Sequence, residues 1–264
     1  LFRIVFGLVV LDSLIGKFPD RLLFYSDVGL VTRQTILQFW HGPLENYNLL
    51  YLVPANDPQL FWFFVALIGL SVCLTFGLFT RVTSVLLFLG LIALSNRNFA
   101  ADNSGDDLIR INCFWLMFSQ AGAAFSLDRI LFKKSRPNLI SAWPVRMLQL
   151  QLAYVYLDSV YLKLQGPAWR DGTALYYALH YLELKRFNFD FLFHSIWQIK
   201  LATWSVLIIE ASMFSLVWLK RFRYWCLGAA FLMHVGINLA MQFPIFEYVM
   251  IASLIVFIDP EHKA

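Results

Sequence analysis

The sequence predicts an all-α fold: a polytopic membrane bundle of about eight transmembrane helices, with amphipathic helices along its outer interface. Three observations carry this. The chain is 59% hydrophobic and 17% aromatic, with a mean hydropathy of +0.64. Only 14% of its residues are charged, against about 25% in soluble domains, which leaves too little polar surface to coat a soluble particle. The apolar runs between charges approach the roughly 20 residues a helix needs to cross a bilayer, and they lack the alternation of a barrel strand.

In chain order the spans fall at 1–18, 59–80, 82–96, 107–125, 143–164, 199–219, 222–241 and 245–258. The first carries Asp12, which is expected to staple it to a neighbouring helix. Arg81 in "LFTRVT" marks a tight hairpin between the second and third. The fourth opens with Asp107 and Arg110, three residues apart and able to pair on one helix face. The fifth ends at Lys163, just before Gly166-Pro167. Glu210 lies in the middle of the sixth, and His234 and Asn238 lie in the seventh. Segments 20–41 and 172–187 are too polar to span and read as the interfacial helices, where Trp and Tyr are favoured. No internal repeat, low-complexity tract, cleavable signal peptide or soluble domain is visible, so one domain is expected over 1–264.

Arg129, Lys133, Lys134, Arg136 and Arg146 share one loop, and Lys220, Arg221 and Arg223 share another. The positive-inside rule makes both cytoplasmic, with both termini inside. The outer side then receives "HGPLENYN", "NRNFAADNSGDD", "GPAWRDG" and "QFPIF", rich in residue types that build sites. The net charge of +4 is small and clustered, and speaks to orientation rather than to nucleic acid. Cys73, Cys113 and Cys226 lie in apolar runs without metal or disulfide spacing and read as packing residues; no metal is expected. His41, His180, His194 and His262 fall outside the spans, which leaves a bis-histidine haem without ligands. No zinc-protease, nucleotide-loop or nucleophile-elbow motif occurs.

An ionisable residue inside a span costs about 2.5 kcal/mol or more, so each needs a reason. Glu210 has no charge nearby in sequence; its partner must come from another helix, and His234 is the natural one. Lys163 is either snorkelling to the headgroups or poised for chemistry. The Gly-Pro break and "AWRDG" after it suggest that the chain folds over the helix end and covers the amine. A covered amine loses hydration, which disfavours its charged form and makes it a usable base. Asp158, five residues earlier, works against this. From these residues alone, structural and catalytic roles for Lys163 stand even.

The order of motifs resembles a known family. "FGLVVLDSLIGKFPDRLLFYSDVGL", "GLFTRVTSVLLFL", "NRNFAADNSGDDLIRINCFWLMFSQAGAAFSLD", "LKLQGPAWRDGTALYYAL", "LIIEASMFSL", "FLMHVGIN" and "FEYVMIAS…DPE" follow one another nearly end to end. Together they resemble the HTTM (horizontally transferred transmembrane) group and the transmembrane part of vitamin K-dependent gamma-carboxylase. The resemblance implies a bacterial inner-membrane protein with a quinol- or lipid-sized cavity open to the outer side. Lys163 matches the lysine regarded there as the base that deprotonates a reduced quinone of the vitamin K or menaquinol type. Oxygen then adds, and the strong base so formed drives carboxylation. Trp169, Asp171 and Gly172 match the neighbours of that lysine, with one extra residue before Trp169. His234 matches the histidine of the penultimate helix, and Glu210 an acidic residue in the helix before it. His234 is therefore paired with Lys163 as a catalytic candidate, and Glu210, Arg110, Asp107, Trp169 and Asp171 as substrate-binding lining. The position of the carboxylase's outer-loop histidine falls near Gly105–Asp107, which holds none. The sequence ends at "FIDPEHKA" where the carboxylase continues into a luminal domain, so quinol epoxidation is expected rather than protein carboxylation. The alternative is a non-enzymatic subunit or scaffold of a larger membrane complex. An apolar cavity reaching Lys163 favours the first reading; a direct salt bridge on Lys163 favours the second.

Overall fold

A computed structural model describes residues 1–39, 49–132, 141–189, 191, 193–243 and 245–258. The fold is all-α: among the described residues the only extended pairing is an isolated bridge between Lys185 and Met241. The chain divides into two compact units, residues 1–145 and 146–264.

The first unit is built on α1 (Phe2–Lys17) and α4 (Asp57–Phe76). Phe6, Val10 and Leu14 recur every fourth residue and are buried, as are Leu60, Phe64, Leu67 and Leu74 of α4, so each helix has an apolar stripe to lay against its neighbour. Close approach requires Gly7, because a Cβ there would overlap the Thr75 side chain. α4 ends in a left-handed residue, Gly77 (φ 76°), whose N–H and that of Leu78 close on Leu74 O and Cys73 O. Asp128, at the start of α7 (Leu127–Leu131), accepts the Phe79 N–H at 2.8 Å and so fixes the turn into α5 (Thr80–Arg97). The tight hairpin expected at Arg81 is therefore present. α6 (Ser104–Phe118) starts with a reciprocal cap. Asn103 Oδ1 accepts from the Gly105 N–H at 2.8 Å, and Asp106 Oδ2 accepts from the Asn103 N–H at 3.1 Å.

Arg97 closes this unit's polar end. Its side chain is 0% exposed and donates to Val31 O at 3.0 Å, Ser26 O at 2.7 Å and Asp27 Oδ1 at 2.9 Å. It thereby pins the chain between α2 (Arg21–Tyr25) and α3 (Arg33–Phe39). Asp12, by contrast, is exposed on α1 and forms no ion pair among the described residues; its neighbour Ser13 makes the polar contact, 3.4 Å from Asp106 Oδ1. The helical rotation of one residue turns Asp12 off the packed face.

The second unit holds most of α8 (Trp143–Gln165), then α9 (Pro167–Asp171), α10 (Ala174–His180), α11 (Ile196–Ser215), α12 (Lys220–Ala240) and α13 (Phe246–Leu254). Single turns at Leu216–Trp218 and Ile255–Phe257 extend α11 and α13. The described cysteines are free, with Cys113 and Cys226 buried and Cys73 partly so.

Two helices are long and apolar enough by themselves to cross a bilayer, Asp57–Phe76 and Ile196–Trp218, with hydropathies of 2.1 and 1.6. The other expected spans coincide with helices that are shorter, like the 15-residue α6, or carry more polar residues, like α8. Trp40 and His41, the rest of the loop to Asn48, the basic residues Lys133, Lys134 and Arg136, Pro244 and the last six residues including His262 lie outside the described residues.

Arg97→Met is expected to orphan the Ser26 and Val31 carbonyls and to destabilise the protein by roughly 3 kcal/mol. Thermal unfolding in detergent should show a lower midpoint than for Arg81→Met, whose parent side chain makes no such contact among the described residues.

Candidate functional site

One face of α8 carries Tyr156, Ser159 and Lys163, spaced i, i+3 and i+7 and so aligned along a single stripe. Lys163 lies in the last turn of α8, where the helix dipole favours a cation. Its Nζ donates to Glu210 Oε1, from the C-terminal third of α11. The Ser159 hydroxyl lies 3.2 Å from each Glu210 oxygen. The side chain of Glu210 is only 7% exposed, whereas that of Lys163 is 22% exposed. The carboxylate is thus sealed in the bundle and the amine keeps one open side.

The Gly-Pro break shapes that side. Gly166 adopts an extended conformation, Pro167 opens α9, and the new helix folds back over the end of α8. This brings the Trp169 ring to 4.9 Å from Nζ, within cation–π range. Trp204 Nε1–H approaches Arg170 O at 3.4 Å and links α9 to α11. Gly172 (φ 85°) then ends α9 in a conformation that only glycine adopts freely.

A second cluster lies deeper. The Tyr156 hydroxyl is 2.7 Å from His234 Nε2, and His234 Nδ1 is 2.5 Å from Glu247 Oε2. The three residues come from α8, α12 and α13, and are 1%, 3% and 2% exposed. Opposite an ionised Glu247, which only accepts, a neutral imidazole carries its proton on Nδ1 and accepts from the tyrosine at Nε2.

The expected Glu210–His234 pair is therefore not formed. Lys163 and Ser159 take the Glu210 oxygens, while Tyr156 and Glu247 take both imidazole nitrogens. The carboxylate that meets Lys163 is Glu210 rather than Asp158. Asp107 and Arg110 belong to the first unit: Arg110 pairs with Asp107 and, at 2.5 Å, with Asp102, beside a Lys17–Asp106 pair at 2.7 Å. Asp171 is exposed and acts locally. Its Oδ1 accepts from the Thr173 hydroxyl at 2.5 Å and N–H at 2.9 Å, ahead of α10. Those two bonds, the hydroxyl foremost, and more weakly Lys200, hold its carboxyl below the usual carboxylate range.

Sequence reasoning missed Tyr156, Ser159 and Glu247. The first two were signalled by their helical register with Lys163. Glu247 had no such signal, since its partner lies on another helix. Cavities are also present among the described residues. One of about 390 Å³ in the second unit is lined by Thr173, Tyr176, Tyr177, Phe193 and His194, with a smaller one of about 110 Å³ beside it at Leu179 and His180. One of about 620 Å³ in the first unit is lined by Ile4, Phe76, Phe125 and Arg129. Lys163 lines none of these.

Glu210→Ala leaves a partly buried cation unpaired and is expected to destabilise by roughly 3 kcal/mol, while adding Lys163→Ala should recover part of the loss. Thermal midpoints of the two single variants and the double variant measure that coupling. For Asp171, a lowered carboxyl contributes stability above its unfolded pKa of about 3.9 and loses it as pH falls further. The gap in thermal midpoint between wild type and Asp171→Asn should thus be constant near neutrality and narrow below about pH 4.

A family model described as the HTTM domain matches residues 1–262. Searches of curated proteins and of solved structures each returned no match. A match over essentially the whole chain makes this protein a member of the HTTM domain family, and so a membrane protein related to the gamma-carboxylase family.

Proposed function

We propose that the protein is a carboxylase-like membrane enzyme, a quinol-dependent oxygenase in which Lys163 acts as general base on a lipid-phase quinol. The observation that carries the reading is the Trp169 ring that the Gly166-Pro167 fold-back lays over the amine of Lys163, at a helix end where that side chain keeps 22% of its surface exposed. Ionisable groups inside an apolar bundle are costly and mark function by default. Joining α8 to α11 needs no charge, since apolar packing would serve.

The residues suit a reduced quinone. Trp169 offers a flat aromatic face beside the amine, and a ring hydroxyl would approach Lys163 from its exposed side. Bound there, a quinol would supply the oxidisable ring; dioxygen is the oxidant, with one oxygen atom entering the epoxide and the other leaving as water. Lys163 receives the hydroxyl proton, Glu210 and Ser159 hold the amine on the α8 stripe, and Trp169 shields it from water. Asp171 keeps the α9–α10 turn in shape.

In this reading the remaining expected spans also cross the membrane, giving eight, with both termini on the basic cytoplasmic side. The α9–α10 segment then lies at the outer interface. Two observations favour a second reading, a non-catalytic subunit of a larger membrane complex: the direct Lys163–Glu210 salt bridge, and the fact that none of the described cavities reaches Lys163.

The test uses protein in nanodiscs with reduced menaquinone or vitamin K and oxygen. Quinone epoxide should form with wild type and fall at least a hundredfold in Lys163→Ala, in line with loss of a general base. Folded wild-type protein that makes no epoxide, and whose thermal midpoint does not move on adding quinol, would instead support the subunit reading.

A further inference from the structure

An ammonium in contact with a carboxylate is a poor base: before Lys163 can accept a proton it must give one up. Glu210 is the nearest acceptor, but a proton held there stays beside the amine and returns to it. A site that works repeatedly needs a store further off, inside the same apolar surroundings. The second cluster has the composition of such a store, and nothing in the substrate-facing geometry uses it.

We propose that Tyr156, His234 and Glu247 form the proton store for Lys163, reached along the α8 stripe through Glu210 and Ser159. The inference rests on the reading of Lys163 as a base. Three observations point to it. Tyr156, Ser159 and Lys163 share one helix face, with about 10 Å of rise between the ends at 1.5 Å per residue. Ser159 already contacts both oxygens of Glu210. Tyr156 bonds His234 and lies one helical turn before Ser159, so it is the member of the second cluster that shares the stripe of the first.

The proton balance closes without any added reagent. At rest Lys163 is an ammonium, Glu210 and Glu247 are carboxylates, and His234 is neutral with its proton on Nδ1. The Lys163 proton passes to Glu210, the Ser159 hydroxyl takes it and hands its own on to the Tyr156 oxygen, and the tyrosine hands its own proton to His234 Nε2. The end state is a free amine at Lys163, two carboxylates, an intact phenol and an imidazolium held by Glu247. One positive charge has moved from Nζ to the ring, and the net charge of the five groups is unchanged. Glu247 is what makes the imidazolium tolerable at 3% exposure. The groups that bear on this equilibrium are Glu210 from α11, Trp169 from α9 and Asp158 on α8 itself at the lysine end. At the other end they are Tyr156 from α8 and Glu247 from α13.

Free amine at Lys163 is measurable without any catalysis. Protein in nanodiscs is pulsed with formaldehyde and cyanoborohydride from pH 6 to 10, and methylation of Lys163 is read by peptide mass spectrometry, with Lys200 as internal control. Tyr156→Phe, which keeps the ring, and Glu247→Gln should each lower Lys163 methylation near neutrality at least tenfold and move its pH midpoint upward. The Lys200 profile should stay in place. Lys163 profiles that superimpose on wild type in a folded Tyr156→Phe protein would overturn the store, as would a change confined to the thermal midpoint. The two failures are separable: a Lys163-dependent epoxide with unmoved profiles removes only the store, and moved profiles without epoxide remove only the quinol chemistry.

Discussion

A charge inside an apolar helical bundle must be neutralised or carried to water, and in the second unit the Lys163–Glu210 pair meets that requirement. Much else around it follows. Glu210 can sit buried in α11 because a cation and a hydroxyl reach it from α8. Lys163 can stay at the end of α8 because α9 folds back and lays an indole ring over it. The Gly-Pro pair serves that fold-back, since it stops one helix and starts another within two residues.

Arg3 and Arg97 are placed differently from Lys163, and the chemistry of the side chains explains why. Arg97 faces the Ser26 and Val31 carbonyls, and Arg3 donates to Ala121 O at 3.2 Å and to Phe125 O. A guanidinium presents several donors in a fixed plane and does not release its proton, which suits it to binding main-chain oxygens. An ammonium is a compact group that exchanges a proton more readily. Lys163 is found with Ser159 on Glu210, on the same α8 stripe as Tyr156, whose hydroxyl meets His234.

The all-α character, the Arg81 hairpin and the Gly166-Pro167 break were legible because they depend on local chemistry: apolar runs, a glycine that can turn, a proline without an N–H. Lys163, Glu210 and His234 were legible as candidates because charge within an apolar run is conspicuous in any single sequence. Their partners were not. Pairing Glu210 with His234 joined the two ionisable residues of consecutive long helices, yet each is engaged by α8 instead. Glu247 passed unnoticed near the start of a short apolar helix, and Asp12 was given a partner that its face of α1 does not meet.

By itself the sequence determined the helical class, the membrane character, the helix breaks and the short roster of groups able to carry charge. These depend on composition and on contacts within a few residues along the chain. Only the tertiary structure decided which of those groups meet. A helix of period 3.6 specifies which side chains share a face, but the rotation of one helix against the next is set by packing over its whole length. That rotation put Lys163 on Glu210, put His234 between Tyr156 and Glu247, and left Asp107 and Arg110 paired within the first unit.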